Sequence, residues 1–118
     1  MNINWDSQSL SVLGLSGIIF IIVGGIMIFF PPKKINHLYG YRTSSSMSSQ
    51  ERWDFAQRHS ALLLIKGGAF MTVMGIAISL LPVSKSTDIL LSTPTLLAMV
   101  FLLFFKTERA LRKRFGKN

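Results

Sequence analysis

The densest group of polar side chains in this 118-residue chain lies between residues 31 and 59. Its candidate binding residues combine an amide, hydroxyls, a guanidinium and an indole: Asn36, Tyr39, Gly40, Arg42, Thr43 and Trp53. The guanidinium of Arg42 is a planar fork that suits a carboxylate or a phosphate. Gly40 can adopt a positive φ that its aromatic neighbours rarely adopt. The cluster is therefore a candidate anion-binding loop, shaped by Asn36 and Gly40 and packed on the next helix by Trp53.

The same residue types also occur as membrane anchors. The indole of Trp53 is amphipathic and suits the interface, and Arg42 could hold a re-entrant loop against lipid headgroups. Lys66 has two interpretations as well. Its long stem could snorkel from a position near the end of its span, or its ammonium could bind a lipid headgroup or a partner carboxylate.

Three apolar segments must position this loop. Residues 10–30 contain no charge, residues 60–81 contain only Lys66, and residues 89–105 contain none. About 20 apolar residues make a helix that crosses a bilayer. The sequence therefore predicts an all-α integral membrane protein with three spanning helices, in one domain over residues 1–118.

Helix boundaries follow from prolines and caps. Pro31 and Pro32 should end the first helix. Ser48 and Glu51 have the spacing of a capping box, so the second helix should begin near Ser49 and project into the cytoplasm before it reaches the membrane.

The third helix should begin near Asp88, bend at Pro94 and continue into residues 106–118. Leu111 and Phe115 share one face among basic residues there, a pattern typical of a helix on the membrane surface. Glycines seven residues apart in the first two helices predict that these helices pack closely: Gly17 and Gly24, Gly68 and Gly75.

The net charge of +8 is concentrated in the loop and in the tail. The positive-inside rule then predicts that the N-terminus lies outside and that the loop and tail lie in the cytoplasm, near anionic headgroups. No nucleic-acid-binding motif is present. Cysteine is absent, His37 and His59 are far apart, and no catalytic motif occurs, so we expect no enzyme activity, cofactor or metal.

The stretch Asn36, Tyr39-Gly40-Tyr41-Arg42-Thr43 and Trp53 resembles the SdpI family of small membrane proteins. That family has an Asn, a Gly-x-Arg-Thr core and a Trp between its first two membrane helices. Its better-known members are immunity proteins against a secreted killing peptide, and some hold a repressor at the membrane. The resemblance implies a protein of the bacterial plasma membrane with a protein partner, either a toxin or a regulator. Two alternatives remain open: an accessory subunit of a larger membrane complex, and a small transporter component.

Overall fold

The structure is a computed structural model, and it describes residues 2–116. Three long helices dominate this part of the chain: α1 (Leu10–Phe29), α2 (Gln50–Ser79) and α3 (Lys85–Phe115). Each is long and apolar enough to cross a membrane, which confirms the predicted all-helical fold with three candidate spans. The first five residues of α1, Leu10–Gly14, form a π-helical turn.

Helix α2 begins one residue after the expected position, but its cap differs from the prediction. The hydroxyl of Ser49 accepts a hydrogen bond from the backbone N–H of Arg52 at 3.1 Å. Ser48 instead belongs to the short 3₁₀ helix Ser46–Ser48, and its hydroxyl donates to the carbonyl of Ser45. The capping box on Ser48 was therefore the wrong assignment, because extended backbone at Ser49 leaves that residue as the cap.

Helix α3 starts three residues earlier than expected, because Ser84 caps it by accepting from the backbone N–H of Thr87 at 3.2 Å. As predicted, the helix continues into the tail. The apolar face of the tail packs against the protein, however. Leu111 is fully buried in a cluster with Tyr41 and Ala56, and Phe115 packs against that cluster. The apolar face of the tail is thus covered by the loop and by the start of α2.

Glycines set the contact between α1 and α2, as the sequence predicts. A Cβ on Gly17 would lie 2.5 Å from the carbonyl oxygen of Gly68, and a Cβ on Gly68 would lie 2.5 Å from that of Gly17. A Cβ on Gly24 would lie 2.7 Å from the carbonyl oxygen of Ala61. Only glycine allows the two backbones to approach this closely.

The glycine contacts also fix the depth of Lys66. Gly17 is level with Gly68, and Gly24 is level with Ala61, so the two helices are antiparallel. Lys66 then lies between the levels of Gly17 and Gly24, close to the middle of α1. This position is deeper than the end-of-span position expected from the sequence.

The outer faces of the helices are strongly apolar. The exposed side chains on α1 and α3 include Leu15, Ile18, Ile22, Ile26, Leu90, Leu97, Phe101 and Phe105. An apolar surface of this extent is unfavourable in water and matches the hydrocarbon of a bilayer. The helix faces that point away from the protein interior are therefore suited to contact lipid.

A buried carboxylate joins the other ends of the helices, away from the loop. Asp88, 6% exposed, accepts hydrogen bonds from the hydroxyl of Ser7 at 2.9 Å, from the backbone N–H of Gln8 at 2.8 Å and from that of Ser9 at 3.0 Å. The Ser9 hydroxyl also donates to it. Asp88 thus caps the N-terminus of α1 from the first turn of α3, where a negative charge is also favoured by the helix dipole.

Candidate functional site

The loop between α1 and α2 begins with a turn built on Asn36. Its side-chain oxygen accepts from the backbone N–H groups of Leu38 at 2.9 Å and of Tyr39 at 2.7 Å. The hydroxyl of Tyr39 donates to the carbonyl of Phe30 at 2.6 Å. An asparagine in this arrangement replaces backbone turn bonds with side-chain bonds. The loop is thereby turned back onto the end of α1.

Gln57 of α2 fixes the centre of the loop. Its side-chain oxygen accepts from the backbone N–H of Tyr41 at 2.6 Å, and its amide group donates to the carbonyl of Tyr41 at 2.8 Å. Gly40 has φ +108°, and a Cβ there would lie 2.5 Å from the same Gln57 oxygen. Glycine is therefore favoured at position 40 for two reasons. It adopts a positive φ that other residues rarely adopt, and it leaves space for the side-chain amide of Gln57.

Glu108 of α3 holds the next turn of the loop. One of its carboxylate oxygens accepts from the hydroxyl of Tyr41 at 2.8 Å and from that of Thr43 at 3.2 Å. Burial raises the pKa of the Tyr41 phenol well above its usual range, and the hydrogen bond and charge of Glu108 raise it further. The phenol is thus protonated and donates to the carboxylate.

Ser46 closes the loop on itself. Its hydroxyl oxygen accepts from the backbone N–H of Thr43 at 2.9 Å, and its own N–H donates to the hydroxyl of Thr43 at 3.1 Å. The buried Ser46 hydroxyl also lies 3.1 Å from the carbonyl of Tyr41, to which it donates. The loop is thus an ordered element, joined to α1, α2 and α3 by side-chain hydrogen bonds.

Trp53 has no exposed surface, and its indole N–H donates to the carbonyl of Pro32 at 2.5 Å. A side chain in this position cannot reach lipid headgroups. Its contacts are those of an internal support, which joins the start of α2 to the chain that leaves α1.

Arg42 differs from Tyr41, Thr43 and Trp53 of the motif because it is exposed. It donates to the backbone carbonyl of His37, and within residues 2–116 it has no carboxylate partner. Arg42 lies at a cleft of about 330 Å³ whose apolar lining comes from all three helices and includes Val23, Leu64 and Leu103. Leu38, which follows His37 in the chain, is 94% exposed. A cation beside an apolar cleft can bind a group that is anionic at one end and apolar at the other.

The structure separates Lys66 from this loop. Lys66 lines another cleft, together with Lys106 of α3. Arg52, which shares its helical spacing, is buried and donates to the carbonyl of Gly116 at 2.7 Å, beneath the ring of Phe115. Arg52 and Lys66, which are fourteen residues apart on α2, therefore do not form one site.

Sequence reasoning missed two residues that hold the loop, Gln57 and Glu108, and gave Tyr41 no role beyond its place in the motif. Gln57 follows Trp53 by four residues, so both lie on one helical face, and this spacing was a usable signal. Glu108 is the single carboxylate in a strongly basic tail. A lone acidic residue in such a tail is a candidate for a specific internal partner.

The profile of the SdpI/YfhL protein family matches residues 33–106, more than half of the chain and the part that contains the loop. A relative from Bacillus subtilis (strain 168), named "Uncharacterized protein YfhL", is 40% identical over 100 residues, which cover 84% of this chain and 86% of the relative. No solved structure matches. On the family profile and on this relative, the chain belongs to the SdpI/YfhL protein family.

Proposed function

We propose that this chain is a non-enzymatic protein of the bacterial plasma membrane that binds another protein through its loop, in an immunity or signalling role. The observation that carries the proposal is the isolation of Arg42. Its neighbours in the motif use their polar groups inside the protein, whereas its charge has no carboxylate partner within residues 2–116.

The chemistry of the cleft supports a protein segment as the partner. Arg42 supplies several N–H donors for a carboxylate, and the cleft beside it supplies apolar surface. Because the loop is already ordered by Gln57, Glu108 and Trp53, binding costs little loop entropy. A secreted killing peptide or a membrane-held regulator with an acidic and apolar segment has this combination.

The proposed orientation places the loop, the first turns of α2 and the tail in the cytoplasm, with the N-terminus outside. The charge distribution supports it, since the loop and the tail are strongly basic and the short α2–α3 connection is not. The absence of cysteine makes the test simple. Trp5→Cys should react with an impermeant maleimide on intact cells, whereas Leu38→Cys and Lys113→Cys should react only after permeabilisation. The opposite pattern would reverse the orientation.

The functional test is a challenge with a secreted killing peptide from a related bacterium, using cells that lack their own immunity protein. Cells that express the chain should survive, and Arg42→Ala should abolish survival at an unchanged protein level in the membrane. Arg109→Ala, which removes an exposed charge from the tail, is the matched control and should protect fully. Full protection by Arg42→Ala would remove the proposed role of the loop.

A further inference from the structure

A second cleft lies between the helices, and it is lined by two lysines from different helices. Its volume is about 360 Å³, and its lining includes Lys66 of α2 and Lys106 of α3. The rest of the lining is apolar apart from the backbone, with Phe20, Phe70 and Met99 among its members. Lys66 and Lys106 are 40 residues apart in the sequence, so the antiparallel packing of α2 and α3 brings them to one cleft.

No side chain in the described part of the chain neutralises either lysine. Within residues 2–116, neither ammonium has a hydrogen bond or a carboxylate partner. Both side chains are exposed, although α2 and α3 are apolar enough to cross a membrane. Two unpaired cations beside hydrocarbon are unfavourable unless an anion reaches them.

The depth of the pair distinguishes it from ordinary anchoring residues. Lys66 is level with the middle of α1, about 14 Å from the end that joins the loop at 1.5 Å per residue. Lys106 lies nearer that end, since the tail of α3 continues for nine more residues to Phe115 beside the start of α2. The two lysines therefore lie at different levels of the same cleft, Lys106 nearer the loop and Lys66 farther from it.

We infer that this cleft binds one anionic phospholipid, with its phosphate between Lys66 and Lys106 and an acyl chain along the apolar lining. The occupant follows from charge and shape. A phosphodiester supplies the missing negative charge, and an acyl chain is the group that an apolar cleft open to the bilayer accepts. Gly67 allows α2 to approach Met99 closely beside the cleft, because a Cβ there would lie 3.1 Å from the sulfur of Met99.

The test is native mass spectrometry of the purified full chain in detergent, with phosphatidylglycerol or phosphatidylcholine of the same acyl chains. The wild type should retain one phosphatidylglycerol in preference to phosphatidylcholine. Lys66→Met with Lys106→Met should weaken phosphatidylglycerol binding about 30-fold, from the usual contribution of two lysines at an anionic lipid. Lys66→Arg with Lys106→Arg should retain most of it.

The matched control is Lys33→Met with Lys34→Met, which removes the same charge from exposed loop positions and should change binding less than about twofold. Equal retention of the two lipids, or unchanged binding by the double Lys66 and Lys106 variant, would overturn the inference. The inference would also be overturned if glycerol 3-phosphate competed as well as the lipid does, or if the chain retained a second copy of itself instead of a lipid. None of these results depends on Arg42, so the proposed protein-binding function is tested separately.

Discussion

The side-chain amide of Gln57 pairs with both backbone hydrogen-bonding groups of Tyr41, at 2.6 Å and 2.8 Å. This is the pattern by which one strand residue pairs with another, here supplied by a helix to a loop. Gln57 is 2% exposed, so water cannot replace it. One side chain of α2 therefore pairs with the backbone of Tyr41, the residue whose hydroxyl reaches Glu108.

Gln57→Ala should lower the free energy of unfolding by about 2 kcal/mol, because it leaves the buried N–H of Tyr41 without a partner and removes one of the two donors to its carbonyl, the other being Ser46. Hydrogen exchange of the Tyr41 amide in detergent should accelerate strongly. Gln8→Ala removes a side chain of the same type from an exposed position and should have little effect. Unchanged exchange at Tyr41 in Gln57→Ala would show that the pairing does not hold the loop.

Gly40→Ala should destabilise the protein by more than Gly116→Ala does. Both glycines have positive φ, +108° and +85°, so both substitutions introduce backbone strain of about 1 kcal/mol. At Gly40 the new methyl group would also lie 2.5 Å from the Gln57 oxygen, whereas at Gly116 it would meet nothing within 4 Å. Thermal unfolding in detergent compares the two variants, and equal losses would contradict the close packing assigned to Gly40.

Gly17→Ala should destabilise the contact between α1 and α2, because the added Cβ would lie 2.5 Å from the carbonyl of Gly68. Gly25→Ala is the matched control in the same helix, where a Cβ would meet nothing within 4 Å. At a helix position alanine is more favourable than glycine by about 1 kcal/mol, so this control should be neutral or slightly stabilising. In mixed detergent micelles, Gly17→Ala should therefore unfold at a lower denaturant concentration than the wild type, and Gly25→Ala at the same or a slightly higher one.

Asp88→Ala should lower stability by about 2 to 3 kcal/mol, because it removes a charged acceptor from buried hydroxyl and N–H donors at the start of α1. Amide exchange should then increase at Gln8 and Ser9. Asp6→Ala, at an exposed carboxylate near the same end, should leave both measurements close to the wild type. Equal effects of the two substitutions would assign the change to charge alone.

The helices could be predicted from the sequence because each is encoded locally. An uncharged apolar run long enough to cross a bilayer, ended by Pro31, predicts α1 without knowledge of any other segment. The glycine spacing in α1 and α2 is a local signal too, and it predicted their contact correctly.

The hydrogen bonds between side chains distant in sequence could not be predicted in the same way. Tyr41 and Glu108 are 67 residues apart, and Ser9 and Asp88 are 79 apart. No periodicity connects such positions, because which polar groups meet depends on how the helices pack. The tail shows the same limit: Leu111 and Phe115 have the pattern of a membrane-surface helix, yet their apolar face is covered by the loop and α2.

The most direct test of the central claim, that the loop presents Arg42 to a protein partner, is photo-cross-linking in native membranes. A benzophenone amino acid at position 38, beside Arg42, should form one protein adduct that mass spectrometry identifies. The same probe at position 22, on the lipid-facing side of α1, should give no protein adduct. The account predicts that Arg42→Ala abolishes the adduct at position 38 without lowering the amount of protein. An adduct that survives Arg42→Ala, or the absence of any protein adduct at position 38, would contradict it.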